Sequence, residues 1–208
     1  MTDSSATSAT ESTIAAAKQH ARQQAFSKRS AITGSVRLSA SQSVANHFAD
    51  HPYLTYAASF AGYYPIRDEL DVLPIFNRMA AFHKQMALPH IQSTQPLMTF
   101  KSWTPGQPLD TGAHGIKTTA ETAPDLIPEV VLVPLLAFNP SGYRLGYGGG
   151  YYDRVIAHYR TQGLPTRFFG VAYALQEDTS FPVDAHDQPL DGILTEEGVS
   201  MFHRQSTK

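Results

Sequence analysis

The sequence predicts an α/β domain built on a mainly parallel sheet, and three observations carry that expectation. The run Val130-Val131-Leu132-Val133 is β-branched, apolar and closed by Pro134, the composition of a strand buried on both faces. Apolar residues recur at helical spacing in several longer segments. These segments alternate with short apolar runs along the chain, the order that βαβ units produce. No internal repeat or linker divides the sequence, so residues 14–208 are expected to form one domain behind a disordered tail at 1–13.

The elements follow in order. From Thr13 onward, Ile14, Ala17, Ala21, Ala25 and Ile32 recur at near-helical spacing, with Lys18, Arg22, Lys28 and Arg29 among the polar positions, and Gly34 ends the segment. A second helix is predicted over 39–49, halted before His51-Pro52. Residues 56–64, small and aromatic and closed by Pro65, read as a buried strand, and 72–82 as a helix with Asp71 as its cap. Short strands are predicted near 85–88 and 97–103. The Pro-, Gly- and Thr-rich stretch 104–129 is expected to be a loop over a site. A helix over 152–159 and buried strands over 168–172 and 193–195 complete the series.

Composition narrows the function. A hydrophobic fraction of 42% against 16% charged residues belongs to a folded chain with a substantial core. With 16 basic and 18 acidic side chains there is no basic excess to neutralise a phosphate backbone, so a nucleic acid is not the expected partner. The absence of cysteine excludes disulfides, thiolate metal sites and cysteine nucleophiles. No apolar run approaches the roughly 20 residues of a membrane helix. The opening MTDSSATSATES lacks the basic start and apolar stretch of a signal peptide. The expected setting is cytoplasmic, without a membrane partner, and the expected state a monomer or weak oligomer.

The most informative stretch is Arg144-Leu145-Gly146-Tyr147-Gly148-Gly149-Gly150-Tyr151-Tyr152-Asp153-Arg154, which follows the Val130 strand and opens a helix. Its glycines allow positive φ and close approach of backbone to a ligand. Backbone N–H groups and a helix N-terminus would converge there on an anion. Arg144 offers a planar fork for phosphate oxygens, and Asp153 a carboxylate for the Mg²⁺ that accompanies a nucleotide. A tight turn that merely packs a corner is the alternative, and the flanking Arg144, Asp153 and Arg154 weigh for phosphate. The pattern is neither a Walker loop nor a GxGxxG fingerprint.

The segment LVPLLAFNPSGYRLGYGGGYYDR resembles the signature of the 5-formyltetrahydrofolate cyclo-ligase family, and the similarity runs over residues 18–199. The resemblance implies a three-layer α/β/α sandwich. It also implies ATP-dependent cyclisation of 5-formyltetrahydrofolate, with or without a polyglutamate tail, to 5,10-methenyltetrahydrofolate, with ATP as co-substrate and Mg²⁺. A non-catalytic folate or nucleotide sensor on the same fold is the alternative, as is a related enzyme with a different formyl or amide substrate.

The family's basic motif is met by Lys18 and Arg22, four residues apart on one helical face, with Ala21 in place of its leucine. These two, Arg144, Leu145, Gly146, Tyr147, Gly148, Gly149, Gly150, Tyr151 and Tyr152 are thereby expected to bind ATP. Lys18, Arg144 and Asp153 are expected to be catalytic. Glu69, in Tyr64-Pro65-Ile66-Arg67-Asp68-Glu69, resembles the glutamate that faces the folate, with Tyr64 at the pocket edge. Tyr147, Gly148, Gly149, Gly150 and Tyr151 would share in that contact. Trp103, the single tryptophan, resembles a ring-stacking position, with a place in the core as the alternative. His186, Asp187 and Asp191 follow the family pattern near the end of this sequence and either order the magnesium, orient the phosphate loop or stabilise their own loop. Two departures stand out: Thr118-Thr119, with Glu121 nearby, replaces a Glu-Pro pair, and Asn139 replaces an aspartate.

Overall fold

The computed structural model describes residues 4–91, 97–112 and 115–203, with side chains from residue 12. The chain begins with helices α1 (Ser4–Ser30), α2 (Gly34–Asp50) and α3 (Pro52–Tyr56), followed by strand β1 (Ser59–Ala61) and α4 (Leu73–Ala80). Next come β2 (Gln85–His90), β3 (Thr99–Ser102), β4 (Asp110–Thr111), β5 (Lys117–Thr118) and β6 (Val130–Pro134). The hairpin β7 (Ala137–Phe138) and β8 (Arg144–Leu145) leads into α5 (Tyr151–Thr161). β9 (Arg167–Val171), a 3₁₀ turn (Ala174–Gln176), β10 (Gly192–Thr195) and β11 (Gly198–Met201) complete it.

Seven strands form one sheet in the order β11-β10-β9-β6-β1-β2-β3. The interior pairs are parallel, and the two outer strands, β11 and β3, run antiparallel to their neighbours. The period-two alternation of a strand explains the layering. Val130, Leu132, Phe169 and Val171 face the cluster formed with Val44, Phe48 and Phe76 of α2 and α4. Val131, Val133 and Phe168 face Val155, Ile156 and Tyr159 of α5. Helices thus cover both faces, which makes the expected α/β/α sandwich. Burying a side chain such as Leu132 of β6 or Phe169 of β9 contributes about 1.5–3 kcal/mol, so these two adjoining strands are a principal source of stability.

Several elements differ from the sequence expectation. Helical backbone begins at Ser4, where a tail through residue 13 was expected. No glycine or proline interrupts Ser4–Ser30, so a helix nucleated further along propagates outward at little cost; residues 1–3 lie outside the described part. The strand expected over 56–64 is only Ser59–Ala61, because Pro52 starts a separate helical turn that absorbs Tyr56. The loop over 104–129 contains the small antiparallel pair β4 and β5.

The sheet's carboxyl edge positions the site. β1, β6 and β9 all end there, and the segments 62–72, 135–150 and 172–191 leave from it, the side on which open parallel sheets bind ligands. α1 lies along this edge, packing Ala21 and Ala25 on Leu136, Ala137, Leu145 and Phe181. Among the described residues no helix is long and apolar enough to cross a membrane.

Candidate active site

The glycine turn joins β8 to α5. Gly148 has φ 100° and Gly150 φ 65°, left-handed values that residues with a Cβ adopt only at a cost. Gly149 is required for a different reason: a Cβ there would lie 2.7 Å from the Tyr151 ring. Gly150 is the N-cap of α5 and supplies no side-chain hydrogen bond, so the first-turn N–H groups have no side-chain cap. An anion at this position would meet those donors and the positive end of the helix dipole.

Arg144 and Asp153 anchor the turn from beneath. Arg144 is buried and donates from Nη2 to Asp153 Oδ1 at 2.8 Å and from Nη1 to the Gln188 carbonyl at 2.7 Å. Asp153 Oδ1 also accepts the Gln188 N–H at 3.0 Å. Burial lowers the Arg144 pKa from its ordinary value, and the charge and hydrogen bond of Asp153 oppose that shift.

α1 brings its cations across the same edge. Arg22 donates from Nε to the Gly146 carbonyl at 2.9 Å, and its guanidinium lies against Gly148. Lys18 is held by Asp184 at 2.7 Å and Asp187 at 2.5 Å. Burial alone would pull its ammonium down, but the hydrogen bonds and charges of the two aspartates outweigh this and raise its pKa. The one-face spacing of Lys18 and Arg22 therefore holds, but their immediate partners differ. The segment carrying Asp184 and Asp187 continues into Gln188, so Lys18 is connected to the Arg144–Asp153 pair through one short loop.

Glu69 sits where the loop after β1 meets the glycine turn. Its Oε1 accepts the Tyr147 hydroxyl at 2.6 Å and its Oε2 the Ile66 N–H at 2.9 Å. Burial raises the Glu69 pKa, against the pull of Tyr147, Ile66, Arg29 and Arg67. The phenols of Tyr63, Tyr147 and Tyr152 are each pushed up, first by burial and then by the Glu69 charge. This separates the two adjacent tyrosines. The buried Tyr152 phenol feels the charges of Glu69 and Arg144, whereas Tyr151 packs its ring on Gly149 and beneath the Arg154 guanidinium, 4.9 Å away.

With this geometry in view, similarity to known proteins becomes informative. Residues 14–196 match the model of the 5-formyltetrahydrofolate cyclo-ligase family. The chain belongs to that family. It is 29% identical over 177 residues to the 5-formyltetrahydrofolate cyclo-ligase of Escherichia coli, covering 81% of this chain and 94% of that protein. It superposes on the solution structure of Aquifex aeolicus 5,10-methenyltetrahydrofolate synthetase with a TM-score of 0.73 and 28% identity, covering 92% of this chain and 99% of that one. The Mycoplasma pneumoniae 5,10-methenyltetrahydrofolate synthetase, 24% identical and covering 86% of this chain and 98% of its own, shares the fold with a TM-score of 0.68.

Within this cyclo-ligase chain, not every residue expected at the site gathers there. Trp103 belongs to the core beside α4: its ring meets Phe76 edge-on at 5.5 Å and its indole N–H donates to the Gln107 carbonyl at 3.2 Å. A cavity of about 560 Å³ opens next to it, lined by Lys84, Gln85 and Thr119 among others and by no residue of the glycine turn. Tyr64 is half-buried on the loop that carries Glu69. Asp191 accepts the Phe168 N–H at 2.8 Å at the opening of β10, a role in the sheet. Asp184 and Asp187 order their own loop, since Asp187 Oδ2 accepts the Asp184 N–H and Asp184 Oδ1 the His186 N–H, both at 2.8 Å.

The two departures acquire local explanations. Asn139 Oδ1 accepts N–H groups from Ser141 and Tyr143 at 3.1 and 3.0 Å, a turn role for which an amide oxygen serves as well as a carboxylate. Thr118 donates to the Pro89 carbonyl at 3.2 Å, and Glu121 pairs with His90 at 3.1 Å, so this loop is fastened to β2. Arg29 was not singled out by sequence. It is buried near Tyr147 and Glu69, and its place in a basic run at the end of α1 gave no sign of this.

Proposed function

We propose that the glycine turn receives the triphosphate of ATP and that Glu69 receives the folate, with Tyr147 as the link between them. The observation that carries this reading is the 2.6 Å hydrogen bond from Tyr147, inside the turn, to Glu69. It supports the reading by joining the glycine turn, whose backbone donors suit an anion, to a carboxylate that suits an N–H-rich heterocycle. The chain converts 5-formyltetrahydrofolate to 5,10-methenyltetrahydrofolate with consumption of ATP, and its proposed setting is the cytoplasm.

The formyl oxygen on N5 must leave, and it leaves far better as phosphate than as hydroxide. In the proposed sequence the formyl oxygen attacks the γ-phosphorus and ADP departs. N10 then attacks the activated formyl carbon and loses its proton. Finally the C–O bond breaks and inorganic phosphate carries the oxygen away. Phosphoryl transfer asks the protein for position and charge. Arg22 and the N-terminal amides of α5 would hold the phosphates, Lys18 would exchange its aspartates for a phosphate oxygen, and Arg144 would fix Asp153.

Asp153 suits a magnesium ion, because both of its protein contacts fall on Oδ1 and its side chain is 28% exposed. A site of that kind uses one or two carboxylates, with waters and phosphate oxygens completing the shell. Bound there, Mg²⁺ would neutralise charge on the phosphates. The deciding assay combines the purified chain, ATP, Mg²⁺ and 5-formyltetrahydrofolate, with the near-ultraviolet band of the methenyl product and ADP release followed together. Binding of both ligands without ADP or product would overturn the catalytic reading.

A further inference from the structure

We propose that Arg29 is a positioning residue for the folate end of the site, a buried cation that keeps Glu69 available as an anion. Arg29 is 1% exposed at the last turn of α1. Its Nη1 donates to the Leu135 carbonyl at 3.2 Å, while Nε and Nη2 are buried without a hydrogen-bond partner of good geometry among the described residues. Its guanidinium carbon lies 5.6 Å from the centre of the Tyr147 ring and 5.8 Å from that of Phe26. A buried guanidinium is retained only where a negative charge or a strong dipole compensates it. The C-terminal end of α1 supplies part of that compensation.

The nearby acids distinguish the partner. Asp68 already has the Ser30 hydroxyl at 2.9 Å and the Arg37 guanidinium. Glu69 has the Tyr147 hydroxyl and a backbone N–H but no ion pair among the described residues, and Tyr147 touches both it and the Arg29 guanidinium. The groups facing Glu69 are Tyr147 from the glycine turn, Tyr63 and Arg67 from its own loop, Tyr152 from α5 and Arg29 from α1. Only the two arginines oppose the burial of its charge electrostatically, and Arg67 is exposed to water while Arg29 is not. Water screens Arg67 more than it screens the buried Arg29, which makes Arg29 the stronger influence. The inference rests on the reading of Glu69 as the residue that receives the folate.

The test is a pH series of kcat and KM for 5-formyltetrahydrofolate and for ATP, from mildly acid to mildly alkaline pH. It compares wild type, Arg29→Gln, Arg29→Lys, Glu69→Gln and the Arg29→Gln/Glu69→Gln pair. Arg29→Gln is expected to raise the folate KM about tenfold at the acid end, as an upward shift of one pKa unit in Glu69 does. The difference should close at alkaline pH, with the ATP KM unmoved. Arg29→Lys should restore the wild-type profile, and Arg29→Gln should add nothing to Glu69→Gln. A folate KM unchanged in Arg29→Gln beside a damaged Glu69→Gln overturns the inference alone. So does a loss that is independent of pH. An undamaged Glu69→Gln overturns both the reading of Glu69 and the inference built on it. Should Arg29→Gln fail to fold, Arg29→Lys carries the test, and a tenfold acid-side rise in its folate KM overturns the proposal.

Discussion

Replacing Arg144 by methionine should damage stability and turnover together, and the two losses can be separated. The side chain is buried and donates to Asp153 and to the Gln188 carbonyl. Removing one member of a buried charged pair costs about 3–5 kcal/mol, because the remaining groups stay desolvated without a partner. Domains of this length lose about 2–4 °C in Tm per kcal/mol, so a drop of about 6–20 °C is expected. Total stabilities are about 5–15 kcal/mol, so the variant stays folded at room temperature wherever the wild-type total exceeds the loss by about 2 kcal/mol. Calorimetry gives the thermal loss, and titration calorimetry with ATP at a temperature where both proteins are folded gives the binding loss. Arg144→Lys keeps the charge but not the fork, so it should recover part of the stability and little of the turnover. A methionine variant with wild-type Tm would refute the structural pairing, and one with wild-type kcat would refute the role in phosphate chemistry.

Three further outcomes are expected. Tyr147→Phe removes a hydrogen bond to a charged group, a loss of about 1.5–3 kcal/mol, and should raise the folate KM with its largest effect at acid pH; steady-state kinetics that show no change would discount the Glu69 contact. Gly150→Ala places a Cβ at φ 65° and 2.9 Å from Arg154 Nη1. The left-handed backbone costs about 1–2 kcal/mol, so ATP affinity and Tm should both fall, while Gly146→Ala, which meets open space, should leave Tm unchanged. Lys18→Met bears on acid stability. The Lys18 hydrogen bond is the first cause that lowers the Asp184 pKa. A depressed carboxyl stabilises the fold above its unfolded value of about 3.9 and loses that contribution as pH falls through the folded value. The stability gap between wild type and Lys18→Met, read from denaturant melts, should therefore shrink below about pH 4. A gap that persists undiminished in stronger acid would contradict the pairing.

The parallel core was legible because strand burial leaves a compositional trace: Val130 to Val133 could hardly be anything but a central strand. The glycine turn was legible because positive φ at Gly148 and Gly150 demands that residue type. Two-residue strands such as β7 and β8 leave no such trace, since a pair of residues carries no periodicity. β11 escaped notice because its residues are half-buried or exposed and its pairing with β10 is set by the sheet edge. Trp103 shows the limit of motif matching, because a tryptophan at a ligand-contact position and one in a core read identically in sequence. Arg29 shows the reverse, a charge in a basic helical run whose burial arises only from the way α1 crosses the sheet's edge.

The ion pair between Lys18 and Asp187 closes a sequence separation of 169 residues. A growing chain holds α1 early but has neither Asp184 nor Asp187 to pair with Lys18 until that distant segment has been made. Contacts of that span are late events in folding, since the intervening chain must be ordered before they return any free energy. Nascent or C-terminally shortened molecules would therefore hold the glycine turn without its lysine clasp. Nucleotide capture would then wait for the loop that carries Asp184 and Asp187.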